Sequence, residues 1–341
     1  MAITGIRRLT YGVDDLEVCA AFFVDLGLEL ISRDEQSACL ELRNGSEVRL
    51  ILRSSGLLPA SSINGLGVHE CVWAVDSDAS LKRLCADLSR DHELTRDAEG
   101  VTHFVTEFGQ AIGLEVFRPR MTGSAPTPHN SPGRIERLNQ PRKWIERPVP
   151  KQIHHTVWLF PDVEKVFRFY RDRLNFRLTD VQKGYGYYVR ADGAYEHHNL
   201  FIADGYGITS TYDGTLTFAH ANFEVEDIDE LMVGKNYLER CGHKSTDWGF
   251  GRHRISSAAF LYLPCPAGGD AEYGADCDAV DDSWKPRIWD AAFGTAIYVH
   301  NAPDWLNVTP SWDVAYVTSD EVSYRDGLAP QTSTSTKIAA E

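Results

Sequence analysis

Arg8-Leu-Thr-Tyr-Gly-Val-Asp-Asp15 and His155-Thr-Val-Trp-Leu-Phe-Pro-Asp162 open two stretches that read alike. Each is an apolar alternating run, the period of a half-buried strand. Each leads into residues at helical spacing, Leu16-Glu-Val-Cys-Ala-Ala-Phe-Phe23 and Val163-Glu-Lys-Val-Phe-Arg-Phe-Tyr170. Short alternating runs broken by Gly or Asp come next, Ala38-Cys-Leu-Glu-Leu42 and Glu47-Val-Arg-Leu-Ile-Leu52 in one copy, Tyr187-Tyr-Val189 and Asn199-Leu-Phe-Ile202 in the other. The same opening recurs at Glu70-Cys-Val-Trp-Ala-Val-Asp76 and at His220-Ala-Asn-Phe-Glu-Val-Glu226. The pattern predicts an α+β chain of four βαβββ modules, two per half.

Between the halves the composition changes. Residues 118–151 hold seven of the fifteen prolines (Pro119, Pro126, Pro128, Pro132, Pro141, Pro148 and Pro150) with many Arg, which reads as a connector. The predicted organisation is an N-terminal domain over 1–118, a connector over 119–150 and a C-terminal domain over 151–290. Residues 291–341 form a lid or oligomer contact, with Trp284, Trp289, Trp305 and Trp312 around its start, and a mobile tail from about Asp326. One βαβββ module cannot cover its own sheet, whereas paired modules can curl into a half-open barrel around a cavity.

The 341 residues exceed what a single core usually serves, in line with two domains. With 34 Lys+Arg against 49 Asp+Glu, the net charge of −15 repels phosphate backbones and anionic lipid surfaces, so no nucleic-acid or membrane partner is expected. No apolar run is long enough to span a bilayer and Met1-Ala-Ile-Thr-Gly-Ile-Arg-Arg8 lacks the features of a signal peptide; a cytoplasmic location is the expectation. Seven scattered Cys without a Cys-x-x-Cys pair suggest reduced thiols rather than a disulfide framework or zinc knuckle.

The module pattern resembles the vicinal oxygen chelate superfamily, with its glyoxalase-like half-open barrels. Of the twelve His, His69, His92, His103 and His129 in the first half have no obvious partners and read as surface or satisfied core residues. In the second half, His155, His220 and Glu272 fall on the first strand of unit three and on the first and last strands of unit four. Two imidazoles and a carboxylate pointing inward from neighbouring strands can meet at one metal ion and leave coordination positions open. A closed zinc site would want four protein ligands. The matching positions of the first half are read as Arg8, Glu70 and Glu115, a set that holds no metal because Arg cannot ligate one.

Tyr262 stands ten residues before Glu272 and His253 nineteen before it, while His197-His198 lies in the run Glu196-His-His-Asn-Leu-Phe201. With the triad, this is similar to the type I extradiol catechol dioxygenases. The resemblance implies His155, His220 and Glu272 as ligands of Fe(II), with Mn(II) as the other ion such ligands accept, and His197, His253 and Tyr262 as catalytic groups. Strand alternation is expected to turn His197 into the cavity and His198 outward; His198 is also a candidate substrate contact. The distance to Asp162 favours His155 over His154 as ligand.

The reaction implied is extradiol cleavage of a catechol-type diol with O2 in aromatic-compound degradation, by an enzyme that is often oligomeric. Family members that take acidic catechols carry an Arg where this chain has Asp247-Trp-Gly-Phe250. An apolar or weakly polar ring substituent is therefore expected, with Trp248 and Phe250 as candidate walls. The competing readings are another Fe(II) oxygenase of this fold, of the hydroxyphenylpyruvate type, which would not call for the His197, His253 and Tyr262 group, and a ligand-sequestering protein, which needs no metal ligands. A glyoxalase-like isomerase would draw ligands from both halves.

Overall fold

A computed structural model describes residues 2–306, 314–319 and 322–326. Trp312 and residues 327–341, read above as part of a lid and tail, lie outside the described residues. The first half contains β1 (Ile3–Val13), α1 (Leu16–Leu26), β2 (Glu29–Arg33), β3 (Ser37–Glu41) and β4 (Glu47–Leu52). It continues with β5 (Gly67–Val75), α2 (Asp78–Leu88), β6 (Thr95–Arg96), β7 (Thr102–Val105) and β8 (Ala111–Val116). The second half repeats this as β9 (Gln152–Phe160), α3 (Val163–Arg173), β10 (Arg177–Gln182), β11 (Gly186–Arg190) and β12 (Leu200–Asp204). After the short α4 (Gly205–Ile208) come β13 (Thr217–Glu224), α5 (Ile228–Arg240), β14 (Gly251–Arg252), β15 (Ala259–Pro264) and β16 (Asp270–Ala275).

Each module's helix starts in the same way. The side chains of Asp15, Ser77, Asp162 and Asp227 accept a hydrogen bond from the backbone N–H three residues on, which satisfies a donor that the first helical turn leaves free.

The first sheet runs β2-β3-β4-β1-β5-β8-β7-β6, and the corresponding strands of the second run in the same order, β10-β11-β12-β9-β13-β16-β15-β14. Two modules thus meet back to back at the antiparallel β1–β5 and β9–β13 pairs. One apolar core runs through both halves; Trp73 of β5 packs edge-on to Tyr170 and Phe176, and Tyr11 of β1 to Phe218. On β9, Trp158 and Phe160 enter this core. Val157 and Leu159, on the opposite face, form a separate cluster with Phe201 and Ala203. His155 has the parity of this second, inner face.

Residues 117–151 contain no helix or strand and run over both halves. Lys151 pairs with Glu226, and Arg147 donates to the Val24 carbonyl at 2.7 Å. Beyond β16, the chain adds β17 (Arg287–Trp289), α6 (Ala291–Thr295), β18 (Tyr298–Val299) and β19 (Val314–Tyr316). β17 pairs with β10 and β18 with β14, so residues 287–299 pass from one edge of the eight module strands to the other. Among the described residues no helix is long and apolar enough to cross a membrane.

Strand register revises one reading of the first half. His155 stands opposite Asn222, and Asn222 opposite Glu272; the same steps lead from Arg8 to Val72 to Gly113. Gly113, not Glu115, is therefore the counterpart of Glu272. Arg8 is buried in ion pairs with Glu47 at 2.8 Å and Glu99 at 3.1 Å, and fills the place of His155 with a side chain that only donates.

Candidate metal centre

His155 on β9, His220 on β13 and Glu272 on β16 converge on the inner face of the second sheet. Each offers one ligand atom, and the three atoms lie within 4.8 Å of one another. Glu272 Oε2 is 3.2 Å from His155 Nε2 and 3.4 Å from His220 Nε2, and Oε1 is 3.7 Å from His253 Nε2. These are ion-pair distances without hydrogen-bond geometry: both carboxylate oxygens are fully buried and have no hydrogen-bond partner. A buried carboxylate with no hydrogen bond is costly unless a cation compensates it.

The protonation states fit that role. Burial pushes the His155 imidazole down to about 3, against the pull of Glu272. Burial would raise the Glu272 carboxyl, but His155, His220 and His253 hold it well below the usual carboxylate range. An ionised carboxylate and a neutral His155 ring therefore face the common point. Two imidazole nitrogens and a carboxylate form a donor set suited to a divalent first-row metal with open positions. The ring of His155 is oriented from behind, its Nδ1 lying 2.9 Å from Nδ1 of His154.

Tyr262 on β15 stands directly opposite Glu272 in the sheet, and its ring is 5.1 Å from that of His220. The Tyr262 hydroxyl lies 3.2 Å from His253 Nε2, while His253 Nδ1 donates to the Thr295 carbonyl at 2.7 Å. A carbonyl only accepts, so His253 Nδ1 carries a hydrogen and Nε2 is the nitrogen that faces Tyr262 and Glu272. Burial raises the Tyr262 hydroxyl well above its ordinary value, Glu272 adding to the effect, so it stays protonated as a donor.

The expectation for the His197-His198 pair is reversed. β12 begins only at Leu200, so strand alternation does not govern these two residues; Glu196 is instead bridged to Ala279, and the His197 N–H donates to the Asp278 carbonyl. The His198 ring lies tilted against that of His155, with centroids 4.2 Å apart, and makes a T-shaped contact with Tyr188. His197 is buried behind it, against Trp284 and Asp180. His198, not His197, is the imidazole at the site.

Of the proposed walls, Trp248 has its ring 6.5 Å from that of Tyr262, whereas Phe250 packs on Tyr298 of β18 and on the main core. Two contributors escaped the sequence reading. Tyr188, stacked on Phe201 at 4.1 Å, lies in a run seen there only as a strand, where alternation would have singled it out from Tyr187. Asp180 sits within β10 with no motif around it. Three of the four first-half histidines are satisfied locally, His69 by the Gly65 carbonyl, His92 by Asp91, and His103 by Glu70 and Asp97, while His129 is exposed.

Paired βαβββ modules with a His-His-Glu group inside one barrel give this chain the vicinal oxygen chelate fold, and in sequence and fold it resembles extradiol dioxygenases. No family profile matches it. It is 30% identical over 139 residues to metapyrocatechase 2 of Cupriavidus necator, covering 41% of either chain. It is 28% identical over 147 residues to biphenyl-2,3-diol 1,2-dioxygenase of Paraburkholderia xenovorans, covering 40% of this chain and 46% of that one. The chain thus spans less than half the length of the curated relatives it matches. Among solved structures, a Mn(II)-bound glyoxalase from Novosphingobium aromaticivorans aligns with a TM-score of 0.69 at 20% identity over 91% of this chain and 96% of its own. A halotolerant catechol dioxygenase aligns at 0.67 and 17% identity over 92% and 99%. At these identities the structures speak for the fold alone.

Proposed function

We propose that the protein is an extradiol dioxygenase that opens the ring of a catechol-type diol with O2 at a divalent metal, Fe(II) by preference, held by His155, His220 and Glu272. The observation that carries this is the fully buried Glu272 carboxylate, facing three imidazoles with neither oxygen hydrogen-bonded. When bound, the metal would supply the Lewis acidity that lowers the pKa of two adjacent hydroxyls and the redox centre for the reaction of diol with O2.

The side chains handle the protons. His253, with Nδ1 committed to the Thr295 carbonyl, offers Nε2 as the acceptor for a diol hydroxyl proton. Tyr262 donates from the neighbouring strand to the oxygen that gains charge when that proton leaves. His198 approaches from the His155 side, whereas His253 and Tyr262 approach from the side of Glu272 and His220. Two separate proton-handling groups therefore flank the centre, as a reaction that first deprotonates a diol and later protonates a reduced oxygen requires. His198 takes the acid/base role expected above of His197.

An apolar or weakly polar ring substituent is supported by Trp248 beside Tyr262 and by the inner-face cluster of Val157, Leu159, Phe201 and Ala203 with Tyr188. The test is turnover. Protein loaded anaerobically with Fe(II) is mixed with catechol and with alkyl-, aryl- and carboxyl-substituted catechols under O2. A yellow semialdehyde product with matching oxygen uptake is expected, fastest with the alkyl and aryl compounds. Absence of both signals across the panel overturns the proposal.

A further inference from the structure

Asp180, on β10, is fully buried and receives three N–H groups. Oδ1 accepts from the backbone N–H of Arg287 at 2.7 Å, and Oδ2 accepts from the indole of Trp289 at 2.8 Å and lies 3.2 Å from Nε2 of His197. A backbone amide and an indole can only donate, which holds Asp180 in the role of acceptor. His197 Nε2 therefore carries the hydrogen shared with Oδ2, and with that single hydrogen on the ring its lone pair is on Nδ1. That nitrogen lies 3.2 Å from Nδ1 of His198. Two lone pairs cannot face each other, so His198 Nδ1 bears a hydrogen. The free lone pair of His198 is left on Nε2, for which no partner appears among the described residues.

We propose that Asp180 and His197 are positioning residues, a buried carboxylate–imidazole chain that fixes His198 as the Nδ1–H tautomer with Nε2 presented to the centre. This rests on the functional reading above for its consequence, but not for its geometry. Free imidazole side chains in water favour the opposite, Nε2–H form. A buried His198 left without a partner on Nδ1 would present N–H on the side where an acid/base group must first take up the proton that it later returns. The chain also gives residues 287–289 a purpose that no ligand role explains. β17, outside the four modules, supplies two of the three donors that hold Asp180.

The test reads the tautomer directly. Full-length protein labelled with 15N-histidine, metal-free and then loaded with diamagnetic Zn(II), is examined by long-range 1H–15N correlation, with His198→Gln assigning the resonances. The expected pattern is a pyrrole-type Nδ1 and a pyridine-type Nε2 at His198 in both preparations. An Nε2–H tautomer in the unsubstituted protein overturns the proposal without any variant having to fold.

His197→Phe keeps the ring volume and removes the acceptor. It should shift His198 toward Nε2–H and lower kcat on the Fe(II) enzyme ~10- to 100-fold, the usual span for a group orienting a site residue, with iron content unchanged and KM within about threefold. A folded His197→Phe enzyme with undiminished kcat also overturns it. If the unsubstituted Fe(II) enzyme turns over no catechol while His198 reads as Nδ1–H, the functional reading fails and the positioning chain stands.

Discussion

Glu272 illustrates how a single side chain acquires its chemistry from what surrounds it. On an isolated strand it would be one of 49 acidic residues. Here it is buried with neither oxygen hydrogen-bonded, opposite Tyr262 and within 3.4 Å of His155 and His220 nitrogens. Removing His155 takes away one of the three ligand atoms, so the His155→Ala protein should retain less than about a tenth of the wild-type iron by metal analysis. Tyr262→Phe leaves the three donors in place; it should keep its iron and lose roughly 100-fold in kcat, the scale of a positioned proton-handling group. A His155 variant with full iron would refute the ligand assignment. The spacing of Tyr262 and His253 ahead of Glu272 made those residues legible in sequence. The choice within His197-His198 was not, because it depends on where β12 begins.

Helix ends and strand pairs carry their own consequences. α1 stops at Gly27, whose φ of +112° lies in the left-handed region and whose position would set a Cβ 2.5 Å from the Pro148 carbonyl oxygen. Gly27→Ala therefore meets both a backbone penalty of about 1–2 kcal/mol and the connector, and should lower Tm by several degrees in thermal unfolding. In the first sheet, His103 of β7 is held between Glu70 of β5 and Asp97, and the hydrogen bond to Glu70 is the main cause that raises its pKa above the ordinary value. A raised folded pKa means that His103 contributes stability in full below its unfolded value of about 6.5. That contribution is lost as the pH climbs through the folded value. Denaturation midpoints should accordingly fall over this window in the wild type and change less in His103→Gln; equal slopes would count against the assignment. Asp15 and Asp162, which cap α1 and α3, end the two runs that open the repeat, so these helix starts were legible in the sequence. The ion-pair network of the first barrel was not, because its partners come from four separate segments.

Taken together, the two halves are one architecture with two fates. Both sheets share an order and a register, yet Arg8, Glu70 and Gly113 occupy the places of His155, His220 and Glu272. A metal bound in the second barrel would join β9, β13 and β16 and bind only the folded state. At a free concentration of ~100 times Kd it adds about 2.7 kcal/mol. Thermal unfolding should therefore move upward on loading with Fe(II) or Zn(II), return on chelation, and stay unmoved in His220→Ala. The segment 287–299 crosses between β10 and β14, and its Thr295 carbonyl and Trp289 indole hold His253 and Asp180. The four modules are therefore completed by residues that follow them.

Periodicity and repetition are local in the chain, and they were enough to establish four βαβββ modules, their pairing and the strands that carry His155, His220 and Glu272. Which histidine of an adjacent pair turns inward, that Gly113 rather than Glu115 matches Glu272, and that Asp180 lies behind His197 depended on register, on a strand starting late and on a distant segment adding β17. Those are contacts between residues far apart in sequence. No spacing records them, because they exist only once the strands are paired and the inner face is closed.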